Sequence, residues 1–261
     1  MYKEDRRIKR IVVGEIMIMK LNLNNRAFQA IINRTKRIEI RTNTDSHNYD
    51  ELKINDLIEF TNDNKKTILC RVIDVVHYDS AEELLMLEGT KYTTSSTNDY
   101  QEAVERIYNL NGYRERIKQY GVYAIHLEYL YKIDEVWSYL VEKCQSVLNP
   151  RPLSNSVDAG GVAAALLTDK GNVYTGVCLD TACSLGFCAE RNAIGSMITN
   201  GENKIEKLVC IGNQDNIMMP CGACRELLMQ ISDDNQNLEI LCDLKTKETV
   251  KLKSLLPKYW K

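Results

Sequence analysis

The sequence predicts an α/β protein (α+β overall) with two domains of different architecture. The first half has several short strands and few helices, which is typical of a small β-barrel. The second half alternates strands with helices, which is typical of a mixed sheet covered by helices. A length of 261 residues suits two small domains. We therefore expect one domain at residues 1–132 and a second at residues 133–261.

The composition limits which classes of partner are expected. A hydrophobic content of 44% suffices for packed cores, and a net charge of −2 gives no overall attraction to nucleic acid or membrane. No apolar run approaches the roughly 20 residues of a membrane span. Residues 6–10 are basic and precede the apolar run 11–19, as in an export signal, but Gly14-Glu15 interrupts that run. With nine cysteines, an odd number, we expect a cytoplasmic protein with reduced thiols.

Alternation of apolar and polar residues and the positions of turn residues predict the elements of the first half. Strands are expected at residues 11–21, 36–41, 57–60, 68–76 and 120–131, and helices at residues 26–32, 81–88 and 100–110. In the second predicted strand, Lys36 shares a face with Ile38 and Ile40, and the charged residues Arg37, Glu39 and Arg41 share the other.

The second half begins with an amphipathic helix at residues 133–148, which Pro150 and Pro152 end. A hairpin is expected from residues 162–168 and 172–178, around the turn 169–171. Helices then start at Cys188 and Cys221, and strands are expected at residues 208–212, 238–242 and 249–253. In sheets of this kind functional groups usually lie where the helices start.

Three cysteines have the spacing of a metal site. Cys221 and Cys224 are three residues apart at the start of a predicted helix, so their sulfur atoms lie on one side. Cys188 starts another helix, and two helix dipoles favour thiolate over thiol. All three histidines of the chain lie in its first half, so thiolates must supply the local ligands.

Glu190 and two arginines complete this pattern. Glu190 lies two residues after Cys188, about 200° around a helix, so it should flank the metal without binding it. A carboxylate there can take a proton from a metal-activated water, which typically contributes about 10²–10⁴ in rate. Arg191 and Arg225 adjoin the cysteines and would compensate the negative charge of three thiolates.

Other interpretations of these cysteines are open. They could be small buried hydrophobic residues, a redox pair, or a structural zinc site. A structural site would need a fourth protein ligand, for which the nearby candidates are Cys178, Cys183, Cys210 and Cys242. The combination of Cys-Ala-Glu with Pro-Cys-Gly-Ala-Cys favours an open, catalytic zinc site.

These motifs resemble the cytidine deaminase family. The carriers are the segment from Val162 to Gly176, Cys-Ala-Glu-Arg-Asn-Ala-Ile from Cys188, and Pro-Cys-Gly-Ala-Cys-Arg from Pro220, within residues 134–257. The match is to the three-cysteine branch, which includes blasticidin deaminase. The resemblance implies an α/β/α fold, a Zn²⁺ cofactor, a homo-oligomer (dimer or tetramer), and hydrolytic deamination in which Glu190 shuttles protons.

The sequence departs from that family in the expected substrate contacts. An Asn-x-Glu pair that holds the ribose corresponds to Cys178-Leu179-Asp180, and a cysteine cannot replace the paired donor and acceptor of an amide. Each lost contact to a buried hydroxyl would cost about 1–3 kcal/mol. We treat Cys178, Asp180 and Ala189 as candidate substrate contacts. A carboxylate at Asp180 would suit the amine of a blasticidin-like compound.

Residues 17–130 resemble the ASCH family, which is related to the PUA RNA-binding domains. The carriers are Lys36-x-x-Glu39-x-Arg41, the segment 55–60, Val75-x-x-Tyr78 and the segment 120–125. Some small ASCH proteins hydrolyse N-acylated cytidines with a lysine, a threonine and a glutamate. Lys36 matches the lysine, Glu39 stands at the position of the threonine, and Glu88 matches the glutamate loosely. The alternative is a solvated strand whose ion pairs each contribute under about 1 kcal/mol.

Three hypotheses for function follow. The leading one is a zinc-dependent deaminase of a cytosine-containing nucleoside or related aminopyrimidine, with an ASCH-like domain that binds, or deacylates, the substrate. In the second, that domain binds RNA and directs the deaminase to a polynucleotide, although its near-neutral charge disfavours this. In the third, the protein is a non-catalytic binding protein stabilised by zinc. None of the three involves a membrane.

Overall fold

The computed structural model describes residues 16–260, except for the side chain of Asp215. The basic segment 6–10 and residues 11–15 of the first predicted strand lie outside the described residues. The chain divides into two compact units, the first ending at Leu130 and the second beginning at Tyr131. That division and the boundary predicted at residue 132 both fall near the end of one strand. Among the described helices, none has the length and apolar character needed to cross a membrane.

The first unit contains a five-stranded, half-barrel sheet with the strand order β1-β3-β4-β5-β2. Its strands are β1 (Ile18–Leu23), β2 (Ile38–Arg41), β3 (Leu57–Asn62), β4 (Thr67–Tyr78) and β5 (Val122–Lys132). β1 runs parallel to β3, whereas β4 is antiparallel to β3 and β2 is antiparallel to β5. The predicted strands beyond residue 15 therefore all occur, with shifted ends.

Apolar residues cover this sheet on both faces. Along β5, Tyr123 and Ile125 pack into a core with Phe28, while the alternate residues Val122 and Ala124 pack into another. The first core includes helix α1 (Asn25–Ile32), and the second includes α2 (Ala81–Glu88), α3 (Tyr100–Tyr108) and α4 (Tyr113–Tyr120). A strand of this sheet therefore has no face reserved for solvent.

Helix α4 was not predicted. Its sequence, Tyr-Arg-Glu-Arg-Ile-Lys-Gln-Tyr, contains one fully buried residue, Ile117, and so lacks an apolar period that would indicate a helix. Gly112 precedes it with a φ of 71°, in the left-handed region that glycine tolerates, so the chain can turn there between α3 and α4. The helix forms because Ile117 completes the core over α2 and α3.

The second unit contains a six-stranded mixed sheet with the order β11-β10-β9-β7-β6, in which β8 also pairs with β7. Its strands are β6 (Arg151–Ser154), β7 (Val157–Thr168), β8 (Val173–Thr181), β9 (Ile205–Gly212), β10 (Glu239–Leu241) and β11 (Thr249–Lys251). β9 and β10 are parallel, and the other pairings are antiparallel. The exposed strand β6 was not predicted, because Pro150 before it and Pro152 within it indicated a helix end.

Three helices cover the two faces of this sheet: α5 (Val136–Val147), α6 (Ala189–Thr199) and α7 (Gly222–Ile231). Residues of α6 and α7 share a core with Leu208 and Cys210 of β9. On the alternate positions of β9, the Lys207 ammonium lies 4.9 Å from the ring centre of Trp137 in α5. Since successive residues of a strand point to opposite faces, α5 covers the face opposite to α6 and α7. The predicted α/β/α arrangement is confirmed.

Gly176 in β8 allows α6 to approach the sheet closely. A Cβ atom at this position would lie 2.4 Å from the Ala193 nitrogen and 2.7 Å from the Ala189 oxygen, which are both backbone atoms of α6. Backbone atoms cannot yield as a flexible side chain would. The start of α6 can therefore lie this close to β8 only because residue 176 is a glycine.

We expect Gly176→Ala to lower the free energy of unfolding by about 1–3 kcal/mol, since α6 would have to shift away from β8. The matched control is Gly195→Ala, on α6 itself, where an added Cβ meets no atom within 4 Å. This control should raise stability by up to about 1 kcal/mol, because alanine favours a helix over glycine. Urea unfolding measures both changes, and equal effects of the two substitutions would contradict the close approach.

Candidate metal centre and cationic cavity

Cys188 and Cys221 occupy equivalent places in the fold. Each has extended backbone angles (φ −69°, ψ 155° and φ −67°, ψ 167°) and is the residue that caps the start of its helix, α6 or α7. Cys224 follows within the first turn of α7 and is buried. The packing of both helices on one face of the sheet therefore brings two helix starts and three thiols together.

The sulfur atoms of Cys188, Cys221 and Cys224 all lie within 4.8 Å of one another, and those of Cys188 and Cys221 are 3.5 Å apart. Tetrahedral zinc with Zn–S bonds of about 2.3 Å requires S–S separations of about 3.8 Å, so the three thiols fit that ion. Among the described residues, no further cysteine, histidine or carboxylate belongs to this group. Cys221 is exposed, so solvent reaches the cluster from its side.

The charges around the thiols favour a cation. Burial raises the pKa of the Cys188 and Cys224 thiols, and the Glu190 carboxylate raises it further. Burial also acts on Cys221, but the backbone N–H groups of Cys224 and Ala223 oppose it and lower the pKa of this thiol on balance. Three thiolates beside a carboxylate form a strongly negative group, which a divalent cation would compensate.

Glu190 lies beside this cluster inside the protein. It is the second residue of α6, it is only 4% exposed, and its charge also raises the pKa of the buried Cys210 thiol on β9. The carboxylate is therefore buried in the same part of the domain as the thiol cluster. Its role beside a bound metal stays a prediction from the spacing to Cys188.

The two arginines next to the motifs occupy different surroundings. The Arg225 guanidinium donates hydrogen bonds to the carbonyl oxygens of Pro220 (2.8 Å) and Leu255 (3.4 Å), so it fixes the segment that leads into Cys221. Arg191 is exposed and lines a surface cavity with Asn192 and Ser196. Arg225 thus has a positioning contact within the metal-site loop.

The three candidate substrate contacts differ in accessibility. Cys178 is buried; its sulfur accepts a hydrogen bond from the Val162 N–H (3.2 Å) and lies 3.4 Å from an Asp180 carboxylate oxygen. Asp180 is exposed and lies directly opposite Asp158 in the β7–β8 pairing. Ala189 is fully buried and its backbone oxygen faces Gly176, and its role as a substrate contact stays a prediction.

The first unit contains a cavity of about 500 Å³ beside β2. Its lining includes Lys36, Glu39 and Arg41, as the sequence motif predicts, together with residues from α1, the loop 93–96 and α3. Glu88 does not line it, which corrects the prediction for that residue. The Glu88 carboxylate instead accepts hydrogen bonds from Tyr78 (2.7 Å) and pairs with His126 (3.0 Å).

A buried ion network forms one side of the cavity. The Glu39 carboxylate lies 3.3 Å from the Lys36 ammonium and 3.0 Å from the Arg41 Nε, and the Lys36 ammonium also donates to the Thr93 carbonyl oxygen. Lys36 and Glu39 are each only 6% exposed, so the interpretation of a solvated strand is wrong. Burial lowers the pKa of Lys36, and Glu39 partly offsets this effect.

Comparison with known proteins agrees with this division into two kinds of unit. Residues 21–130 match the model of the ASCH domain, and residues 139–238 match that of the cytidine and deoxycytidylate deaminase zinc-binding region. The chain therefore carries an ASCH domain followed by a deaminase-type zinc-binding domain.

Individual relatives match the second domain. A cytidine deaminase of Mycobacterium tuberculosis is 33% identical over 70 residues, which are 26% of this chain and 53% of that protein. The blasticidin-S deaminase of Bacillus cereus is 29% identical over 82 residues, 28% of this chain and 59% of that protein. A crystal structure of cytidine deaminase from M. tuberculosis is 26% identical, with a TM-score of 0.40, over 48% of this chain and 97% of that one. The chain thus spans little more than half the length of the two curated relatives.

We expect Glu39→Gln to lower the free energy of unfolding by about 3 kcal/mol or more, since it leaves the buried Lys36 ammonium without its counter-charge. The control is Glu135→Gln, which breaks an exposed pair with Lys132 (3.1 Å). That pair should contribute no more than about 1 kcal/mol. Chemical unfolding compares the two variants, and a similar small loss from both would show that the Glu39 network does not need its charge.

Proposed function

We propose that the second domain is a zinc-dependent hydrolytic deaminase that acts on a cytosine-containing nucleoside or a related aminopyrimidine. The observation that carries this proposal is the group of three thiols at two helix starts, flanked by the buried Glu190 carboxylate. The match of residues 139–238 to the deaminase zinc-binding region supports it.

In this proposal the thiolates of Cys188, Cys221 and Cys224 hold Zn²⁺. When bound, the metal supplies the positive charge that lowers the pKa of a water from about 15.7 to roughly 7. The start of α7 helps to keep the Cys221 sulfur ionised, because the backbone N–H groups of Cys224 and Ala223 face it. Arg225 holds the loop before Cys221 in place through its bond to the Pro220 carbonyl.

Glu190 acts as the general base and general acid. Its carboxylate accepts one proton from the attacking water and delivers it to the pyrimidine ring nitrogen. It then carries the second proton, from the newly formed hydroxyl, to the amine, so that the carbon–nitrogen bond breaks, ammonia leaves and a carbonyl remains. Its burial supports this role, since a carboxylate held on the first turn of a packed helix keeps a fixed direction. Because the carboxylate is buried, bulk water has little access to the proton that Glu190 carries.

Asp180 and Asp158 favour a second candidate substrate within this reaction class. The two carboxylates lie directly opposite each other on β8 and β7, an arrangement that is unfavourable for like charges unless a cation lies between or near them. A cationic amine on the substrate would relieve that repulsion. We therefore include aminopyrimidines with a positively charged side chain, as in a blasticidin-like compound, among the substrates to be tested.

For the ASCH domain we propose a ligand-binding role. Lys36, Glu39 and Arg41 meet in one cavity, but Glu88 lies outside it and the position of the threonine holds Glu39. These differences favour binding of a small ligand over deacylation. Retention of RNA by the protein at low salt, lost as salt rises, would instead support the polynucleotide hypothesis.

We further propose that the protein forms a homo-oligomer, a dimer or a tetramer. Large apolar side chains are exposed shortly before each metal motif, with Leu185 77% and Met218 44% exposed. Surfaces of this kind commonly mark contacts between subunits. Light scattering on the purified protein at several concentrations gives the assembly state.

We expect Cys221→Ser and Cys224→Ser each to lower the zinc content well below one ion per chain, because two thiolates bind zinc far less tightly than three. The matched control is Cys183→Ser, at an exposed position outside the thiol group. It should retain the metal. Elemental analysis of freshly purified protein measures this, and loss of zinc from the Cys183 variant would indicate a fourth thiolate and a structural site.

We expect Glu190→Ala to retain zinc but to lose at least about 10²-fold in the rate of ammonia release, since the general acid and base is removed. Glu248→Gln, at an exposed carboxylate, serves as the control and should leave the rate unchanged. Cytidine, deoxycytidine, N-acylcytidines and blasticidin form the substrate panel. An active Glu190 variant would refute the role of this residue, and inactivity of the unmodified protein on every substrate would favour the non-catalytic hypothesis.

A further inference from the structure

The cavity of the ASCH domain has an excess of positive charge. One acidic side chain, that of Glu39, lines it. Four basic side chains also line it: Arg26, Lys36, Arg41 and Arg106. The Glu39 charge is already shared between Lys36 and Arg41. Arg106 is paired with Glu102 through hydrogen bonds of 3.0 and 2.6 Å. The positive charge left over lies with Arg41, Lys36 and the exposed Arg26, which all line the cavity.

Hydroxyl groups and an apolar wall complete the lining. The loop residues Ser95 and Ser96 line the cavity and add hydroxyl groups that can donate hydrogen bonds, whereas the Thr94 hydroxyl donates to the Thr90 carbonyl (3.2 Å). The apolar wall comes from β2, α3, the turn after α3 and the start of α4: Ile40, Ala103, Ile107, Leu110 and Tyr113. The Tyr113 hydroxyl donates to the Ile40 carbonyl (3.2 Å), so its ring is fixed in direction.

A ligand matched to this lining has an anionic group and a flat, apolar part. Arginine binds phosphate oxygens with two parallel hydrogen bonds. The exposed Arg26 can do so without breaking an ion pair to any other described residue. A flat ring packs favourably against an aromatic side chain and aliphatic neighbours. A volume of about 500 Å³ also lies within the range of small-molecule sites, about 300–1,000 Å³, rather than that of an open track for a polymer.

We propose that this cavity binds a nucleoside monophosphate, with the phosphate at Arg26 and Arg41 and the base against the wall formed by Ile107 and Tyr113. This inference rests on the proposed ligand-binding role of the ASCH domain and is independent of the deaminase chemistry. The same chain would then hold two sites for related molecules, one that acts on the base and one that selects the phosphate.

Calorimetric titration of the full-length, zinc-loaded protein tests the proposal with four probes: uridine 5′-monophosphate, uridine, inorganic phosphate and a ten-residue uridine oligonucleotide. Uridine derivatives lack the amine that a deaminase would remove, so no turnover disturbs the titration. The monophosphate should bind at least tenfold more tightly than uridine or phosphate alone. Its affinity should fall as salt rises.

Two variants localise the site. Arg26→Ala changes an exposed side chain at the start of α1, and Arg41→Gln changes a member of the ion network; each should weaken monophosphate binding at least tenfold. Arg71→Ala, which breaks the pair with Glu128 away from the cavity, is the control and should bind normally. Unfolding curves identify any variant that fails to fold. Because Arg26 is exposed, Arg26→Ala should fold normally. It therefore still tests the site if Arg41→Gln fails to fold.

Several results would overturn the proposal. Equal affinity for uridine and its monophosphate, or unchanged binding in the Arg26 variant, excludes a phosphate site in this cavity. Equal affinity for inorganic phosphate and the monophosphate excludes recognition of the nucleoside, and much tighter binding of the oligonucleotide favours a polymer. Failure of all four probes to bind would remove the ligand-binding role of the ASCH domain as well. Ammonia release by the same preparation tests the deaminase proposal separately, so failure of one proposal can be distinguished from failure of the other.

Discussion

The deaminase-type domain depends on the convergence of two helix starts on one face of its sheet. Three thiols and the Glu190 carboxylate are crowded there, and burial together with the carboxylate raises the pKa of Cys188 and Cys224. Such a group does not assemble by its own attraction. The apolar packing of α6 and α7 against β9, and the close approach at Gly176, hold it together. A bound cation would turn this unfavourable grouping into a favourable one.

The ASCH domain also buries charged groups, and there the opposite charges come from side chains alone. Both faces of its sheet are covered, so the charged residue Glu39 on β2 cannot reach bulk water. Lys36 and Arg41 provide the opposite charges that this burial requires. A buried network of this kind contributes little net stability but fixes the direction of each group, because any rearrangement leaves a charge unpaired. It therefore suits the wall of a binding cavity better than the support of a core.

How much the sequence predicts depends on whether the signal is local. The spacing of Cys221 and Cys224 requires only one helical turn, so this pair of thiols could be predicted without the fold, whereas Cys188 joins it through the packing of α6 on the sheet. The polar helix α4 has no apolar period, and it forms only because Ile117 meets a core made elsewhere. Residue type alone left open whether Glu39 lies in a groove or faces solvent, and its burial decides for the groove. The contributions of Arg26 and Ser95 to the cavity come from distant parts of the chain, and no local pattern indicates them.

The net charge of the chain indicates neither site, because it sums local charges of opposite sign. The chain has a formal charge of −2, which suggests no preference for anions or cations. Yet the thiol group, once ionised, is negative and favours a cation, whereas the ASCH cavity has an excess of positive charge. Each site lies in its own compact unit. Electrostatic effects fall off within about 10 Å at ordinary salt, so each site acts on its ligand through its local charge. Under the two proposals, the negative thiol group meets its metal cation and the positive ASCH cavity meets an anionic phosphate, although the charge of the whole chain indicates neither.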